Sequence, residues 1–436
     1  MRDALPLAEP TSRSTPCALP GTPLAMASAG LDACVHCGFC LPACPTYLAL
    51  EDENDSPRGR LVLMRGLLDG DVSISDPVVQ QHMDRCLGCR GCETACPSGV
   101  PYGQLLEATR ATMRRTRETP WIARVILDVF ASRALLRAAL FVGRVVRALG
   151  LPMMLARMPG RFGAGMAMLA STRKVLDTRN YSTATAVTRG RVTLLRGCVM
   201  EGLQTATNAA TVRTLRVNGY DIVETALQGC CGALHAHAGD LDTARELARG
   251  NIAAFERTPD ALIAVNAAGC GAMLKEYAHL LFDDPAWHMR ALAVAARARD
   301  ATELLAAAGP KAASLREPVR ITYDAPCHLQ HAQRLTSPPL AVLRAINNLT
   351  HVPLEDSDQC CGSAGIYNLI EPAVSDAVLA PKLRNIAQTG ATLVVTGNPG
   401  CLMQIGAGLL RSGGSARVVH PIDLLDAAYA SNAASA

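Results

Sequence analysis

Two stretches of the chain carry the same pattern of sulfur. Cys34-x2-Cys37-x2-Cys40-x3-Cys44-Pro45 recurs as Cys86-x2-Cys89-x2-Cys92-x3-Cys96-Pro97. Cysteines three residues apart on a tight turn can aim three thiolates at three corners of one cubane cluster. The fourth lies past the turn, and the proline behind it directs the chain away, so that its thiolate reaches a neighbouring cluster. The spacing predicts two [4Fe–4S] clusters, one on Cys34, Cys37, Cys40 and Cys96 and the other on Cys86, Cys89, Cys92 and Cys44. Zinc also uses Cys-x2-Cys pairs, but two identical runs, each closed by Cys-Pro, are poorly explained by tetrahedral sites.

Eight further cysteines fall into two matching sets. Cys198 is followed by Cys230-Cys231-Gly232 and Cys270, and Cys327 by Cys360-Cys361-Gly362 and Cys401. The gaps are 32 and 39 residues in the first set and 33 and 40 in the second, so this part of the chain is a duplication. Adjacent cysteines do not readily pair with each other, because the ring is strained, yet both can face one centre, with glycine permitting close backbone approach. Each single cysteine follows an apolar β-run, so it belongs at the carboxyl end of a parallel sheet, where open α/β folds keep their sites. Two readings stay open: a further metal or redox centre, or a core packed with thiols. His235, His237 and His328 lie close by in sequence and read as ordinary hydrogen-bonded histidines.

The elements that must hold these residues divide the chain by texture. Residues 1–30 read as a disordered, Pro/Ser/Thr-rich leader, and 31–115 as a helical ferredoxin-type domain for two clusters. Residues 116–185 form a helical linker. Residues 186–310 and 311–430 are the two Cys-Cys-Gly repeats, each alternating β-runs with Ala-rich helices. The fold class is thus α plus α/β, with parallel sheets in the duplicated half.

Composition narrows the function further. A net charge of +4 spread over 436 residues gives no case for nucleic acid. Seventeen cysteines in so long a chain, behind an N-terminus with no apolar signal-like core, indicate metal binding in the cytoplasm rather than disulfides. No Gly-rich motif for flavin, NAD or ATP stands in a supporting context, and no residue is assigned a catalytic role. Between Trp121 and Ala170, seven arginines face one acid, Asp128. Arg137, Arg144 and Arg147 interrupt the apolar run there, which excludes a transmembrane span. An interfacial helix on anionic lipid and a helix packed on other domains or a partner both fit.

Several of these stretches resemble the iron–sulfur subunit of glycolate oxidase. They are Cys34-Val-His-Cys-Gly-Phe-Cys40, Ser56-Pro-Arg-Gly-Arg60, Cys86-Leu-Gly-Cys-Arg-Gly-Cys92, Cys96-Pro-Ser-Gly99, Cys230-Cys-Gly-Ala-Leu-His235, the run from Asn266 to Tyr277, and Gly397-Asn-Pro-Gly-Cys401. The resemblance spans residues 30–430 and omits Cys17. It implies an electron-transfer subunit, inactive alone, that takes electrons from FAD-containing partner subunits oxidising glycolate to glyoxylate. The electrons pass to a further acceptor such as membrane quinone, from a position on the inner face of the cytoplasmic membrane. The wider Cys-Cys-Gly group includes heterodisulfide reductase, lactate-utilisation and anaerobic glycerol-3-phosphate dehydrogenase subunits, which supply the alternative of a thiol-redox subunit in a related complex. Some of its members end each repeat in Cys-x2-Cys and bind a noncubane cluster. Here Met273 and Gln404 replace that last cysteine, so a further iron–sulfur centre would use four thiols or another ligand.

Overall fold

The computed structural model describes residues 17–176, 181–183 and 189–433. The N-terminal part is helical. Pro45, Pro57 and Pro77 each open a helix (Pro45–Leu50, Pro57–Asp69, Pro77–Asp84), a position where the missing N–H costs nothing. Side-chain caps fix two of these starts: Ser56 accepts from Gly59 and Asp76 from Val78. With Tyr102–Arg114 they bury Leu61, Met64, Leu67, Met83, Leu105 and Met113 in one core.

The expectation of a disordered leader to residue 30 fails for its last part, while residues 1–16 lie outside the described residues. Thr22 caps a short helix, Pro23–Met26. Leu24 is fully buried in the same core, and its N–H donates to Thr112 Oγ1 at 3.0 Å. One well-placed leucine in a polar, proline-rich stretch is enough to dock it.

The second half holds two four-stranded sheets, all neighbours parallel. In chain order the strands are β1 (Arg191–Leu194), β2 (Asp221–Val223), β3 (Leu262–Val265), β4 (Ala298–Asp300), β5 (Ala313–Tyr323), β6 (Ile346–Val352), β7 (Leu393–Val395) and β8 (Arg417–Val419). The sheet orders are β2-β1-β3-β4 and β6-β5-β7-β8, one topology used twice, as the duplicated cysteine spacing predicts. In each, the chain reverses direction across the sheet between the first and third strands. That crevice is where an α/β sheet offers a site.

The repeats share a core. Val192, Leu215, Ile321, Val395 and Leu425 belong to one buried cluster. The C-terminal helix Pro421–Ala433 also pairs polar groups with helix Thr205–Val217, through Arg213–Asp426 and Thr207–Asp423. The linker forms helices Trp121–Ala131, Arg133–Ala148, Leu151–Leu155 and Gly160–Ser171. The last packs Ala167, together with Ala156, against Ala407 of helix Pro399–Ser412.

Candidate metal centres

The two N-terminal runs adopt the same backbone. Positive φ occurs at His36 and Gly38 in the first and at Gly88 and Arg90 in the second, equivalent positions counted from Cys34 and Cys86. Two left-handed residues flanking the middle cysteine bend each run into the tight turn that the spacing requires. Cys34, Cys37, Cys40 and Cys96 line one recess, which Cys92 also borders. Cys96 reaches it from the C-terminal end of helix Gly91–Ala95.

Cys44 lies on the other side. It is buried, and the neighbours acting on its charge include Cys89, while Cys92 senses Cys89, Cys86 and Cys44 together. Burial pushes the Cys92 thiol well up, and the adjacent sulfurs push it further. Burial keeps the Cys44 and Cys92 thiols protonated until a cation neutralises them, and metal binding then releases those protons.

Residues that the spacing did not single out surround this second group. Arg60 is fully buried; its guanidinium donates to His82 O, Thr46 Oγ1 and Asp55 Oδ1 at 2.6, 3.1 and 3.0 Å. Thr46 Oγ1 in turn lies 3.3 Å from Cys44 Sγ. Tyr102 donates its hydroxyl to Cys86 Sγ at 3.6 Å. Arg60 stands in the Ser-Pro-Arg-Gly-Arg stretch, but no local pattern tells a buried arginine from the many exposed ones.

In the duplicated half, all eight cysteines border a single cavity of about 390 Å3. Cys198 and Cys270 follow β1 and β3, and Cys327 and Cys401 follow β5 and β7, so each quartet occupies its sheet's crevice. In the first quartet, hydrogen bonds link Cys198 to Cys230, Cys230 to Cys231 and Cys231 to Cys270. The donors Cys198 and Cys231 hold the Cys230 thiol well below its ordinary value. In the second, the chain of bonds runs Cys327, Cys360, Cys361, Cys401. Gly232 and Gly362 have φ of 90° and 81°, and a Cβ on Gly362 would stand 2.6 Å from Ser375 O. Glycine after the cysteine pair is therefore a steric requirement.

The quartets differ in surroundings. Around the first, Tyr277 donates to Cys231 O and Asn251 to Cys230 O, at 2.9 and 2.8 Å. Beside the second lie Lys382, buried and paired with Asp324 at 2.6 Å, and His328, whose Nδ1 is 3.4 Å from Cys327 Sγ. Burial lowers the His328 pKa to about 3, so the imidazole is neutral, with its buried Nε2 unpartnered. It is a nitrogen donor of the kind a four-thiol site lacks. Met273 packs in the apolar core that also holds Cys231, while Gln404 is engaged in hydrogen bonds with Asn368 and Ser375.

Among the contacts between the halves, one brings sulfur to sulfur: Cys89 packs against the buried cluster that holds Cys360, and each thiol acts on the other's titration. Tyr367 donates to Arg85 O at 2.9 Å, and Thr94 meets His331 at 2.7 Å, beside the same junction. Cys17 is exposed and belongs to none of these groups.

Twin cysteine turns, packed against duplicated Cys-Cys-Gly crevices, define an iron–sulfur protein. Residues 30–100 match the 4Fe-4S dicluster domain family, and residues 192–275 and 321–406 the Cysteine-rich domain family. The chain is 38% identical over 411 residues to the probable glycolate oxidase iron-sulfur subunit of Bacillus subtilis, covering 90% of this chain and 92% of that protein. It is 35% identical over 407 residues to the glycolate oxidase iron-sulfur subunit of Escherichia coli, covering 91% and 94%. Lactate utilization protein A of an Exiguobacterium species is 29% identical over 236 residues, 54% of this chain and 96% of that one. The chain belongs to the family of glycolate oxidase iron–sulfur subunits.

Proposed function

We propose that this chain carries electrons within a glycolate dehydrogenase complex, from FAD-containing subunits that oxidise glycolate to glyoxylate toward membrane quinone, at the inner face of the cytoplasmic membrane. The observation that carries this reading is the run of thiols from exposed Cys37, through the two turns, across Cys89–Cys360 and into the shared cavity. In it, Cys34, Cys37, Cys40 and Cys96 hold one [4Fe–4S] cluster, and Cys86, Cys89, Cys92 and Cys44 hold the second. A further centre is held by Cys198, Cys230, Cys231 and Cys270, or by Cys327, Cys360, Cys361 and Cys401. The four-thiol donor sets fit iron–sulfur chemistry. When bound, such clusters take up and release single electrons, while the residues around them fix spacing, dielectric and charge. The domain limits given above are those of this carrier. The names of the B. subtilis and E. coli relatives support glycolate as the fuel. The lactate relative supports the alternative, a related hydroxy-acid complex.

The test is partner dependence. The purified chain will not oxidise glycolate with an artificial dye acceptor, and adding the FAD subunits will restore turnover. Flavin-free oxidation by the chain alone would refute the carrier role.

The third centre is tested separately. Anaerobically purified full-length chain is expected to hold more than the roughly eight irons of two [4Fe–4S] clusters. Cys230→Ala with Cys360→Ala will remove the excess and leave the N-terminal complement. If the iron content stays at eight in both, and no thiol in the pair titrates reversibly, the quartets are packing alone.

A further inference from the structure

The linker carries a surface that the rest of the chain leaves uncovered. Twelve of the 22 large apolar side chains exposed among the described residues lie between Trp121 and Phe162. Helix Arg133–Ala148 buries no residue at all. At 100° per residue, Leu135, Ala138, Val142, Val145 and Leu149 fall within an arc of about 80° along this helix and its C-terminal cap. All five are exposed, Leu149 at 68%.

The inward face is a different one. Leu140 packs on Gly202, Gly143 approaches Leu203, and Arg147 donates to Thr172 O and Leu203 O at 2.9 Å. These three point nearly opposite to the exposed arc, so the apolar stripe is aimed at solvent. Met153 and Met154 extend the exposed apolar surface onto the next short helix, Leu151–Leu155.

Charge says what covers it. Arg137 and Arg144 sit one helical turn either side of Phe141, about 80° and 100° beyond one edge of the stripe. Neither they nor Arg157 have an acidic partner or a hydrogen bond among the described residues. The segment from Trp121 to Ala170 has seven arginines and one acid in a chain whose net charge is only +4; Arg124, Arg133, Arg147 and Arg161 are engaged, which leaves Arg137, Arg144 and Arg157 unpaired. An apolar stripe with unpaired arginines further round one flank of the same helix matches an anionic bilayer surface, with aliphatic side chains in the acyl boundary and long guanidinium side chains reaching up to the phosphates. A protein partner would have to meet unpaired guanidinium groups with its own acids. No helix among the described residues is long and apolar enough to cross a membrane.

We propose that helix Arg133–Ala148, with Leu151–Leu155, docks the protein flat on an anionic phospholipid bilayer. This deepens the peripheral location proposed above. Ala123, Ile126, Phe130 and Met168, on the neighbouring linker helices, line the eight-thiol cavity.

The experiment is sedimentation of the full-length, cluster-loaded chain with vesicles of phosphatidylglycerol and phosphatidylcholine, against phosphatidylcholine alone. The chain should sediment with the anionic vesicles only, and less at high salt. Arg137→Glu with Arg144→Glu should weaken that binding roughly tenfold or more, from a contribution of about fivefold per arginine. Val142→Asp with Leu149→Asp should abolish it. Cluster absorbance of every variant, and dye-linked glycolate turnover with the FAD subunits in solution, should match the parent. Absence of vesicle binding, equal binding to neutral vesicles, or unchanged binding of both double variants would overturn the proposal. So would variants that keep vesicle binding but lose the FAD subunits, since the face would then belong to them. If the parent complex lacks turnover while vesicle binding behaves as described, the carrier reading fails and the docking surface stands.

Discussion

Cys96→Ser will lose about half of the N-terminal iron, and the cluster lost will be the one bound by the run 52 residues earlier. Cys96 borders the recess of Cys34, Cys37 and Cys40, at the end of a helix that also carries Cys92. Cys44, at the start of Pro45–Leu50, is turned the other way, toward Cys89 and Cys92. In the proposed assignment each run gives three sulfurs to its own cluster and one to its twin's. Paramagnetic resonance of the reduced protein, set beside Cys34→Ser and Cys86→Ser, will read the assignment. Cys96→Ser should reproduce the Cys34→Ser spectrum. Matching Cys86→Ser instead would mean that the ligands do not cross.

The second large effect is expected at Arg60. Its guanidinium is the buried cation nearest the second group of thiols, and its charge acts on both Cys86 and Cys44. A reduced cluster carries one more negative charge than an oxidised one, so a neighbouring cation favours reduction and raises the potential. Arg60→Met should lower the midpoint of the cluster on Cys86, Cys89, Cys92 and Cys44 by on the order of 50 mV. It should also destabilise the fold by about 3–5 kcal/mol, because Asp55 loses its fully buried partner and keeps Arg85 at 3.1 Å and the His82 imidazole at 3.2 Å. Adding Asp55→Asn should return much of the stability without restoring the potential. Redox titration followed by resonance separates the two effects, and an unchanged midpoint in the double variant would remove Arg60 from any tuning role.

Part of this molecule is readable from its sequence because the relevant geometry is local. Three cysteines on one turn need no distant partner, and the twin turns with positive φ at equivalent positions follow from that spacing. The duplicated sheets are also legible, since cysteine gaps that agree within one residue imply a conserved path between strands. What depends on packing between distant segments is not. Nothing near Cys89 or Cys360 announces their contact, and nothing near the quartets says that both open into one cavity. Arg60 looks like any helical arginine until Asp55, Thr46 and the His82 carbonyl enclose it. Leu24 docks residues 17–30 through a core assembled from helices far along the chain. For helix Arg133–Ala148, periodicity establishes an apolar stripe but not its direction; that is decided by Leu140, Gly143 and Arg147, which seat the opposite face on the first repeat.

The Cys89–Cys360 contact also limits how the protein can be taken apart. Leu87 and Cys89 share a buried cluster with Cys327, Cys360, Tyr367 and Val374. A cut anywhere in the linker would leave this cluster with half its members facing water. The ferredoxin-type part would expose Leu87, and the repeats would expose Tyr367 and an opened thiol quartet. The two parts read as modules in sequence, yet the sulfur junction between them behaves as the inside of one domain. Grafting the N-terminal part onto another carrier, or exchanging the repeats between relatives, will therefore work only if both sides of this junction move together.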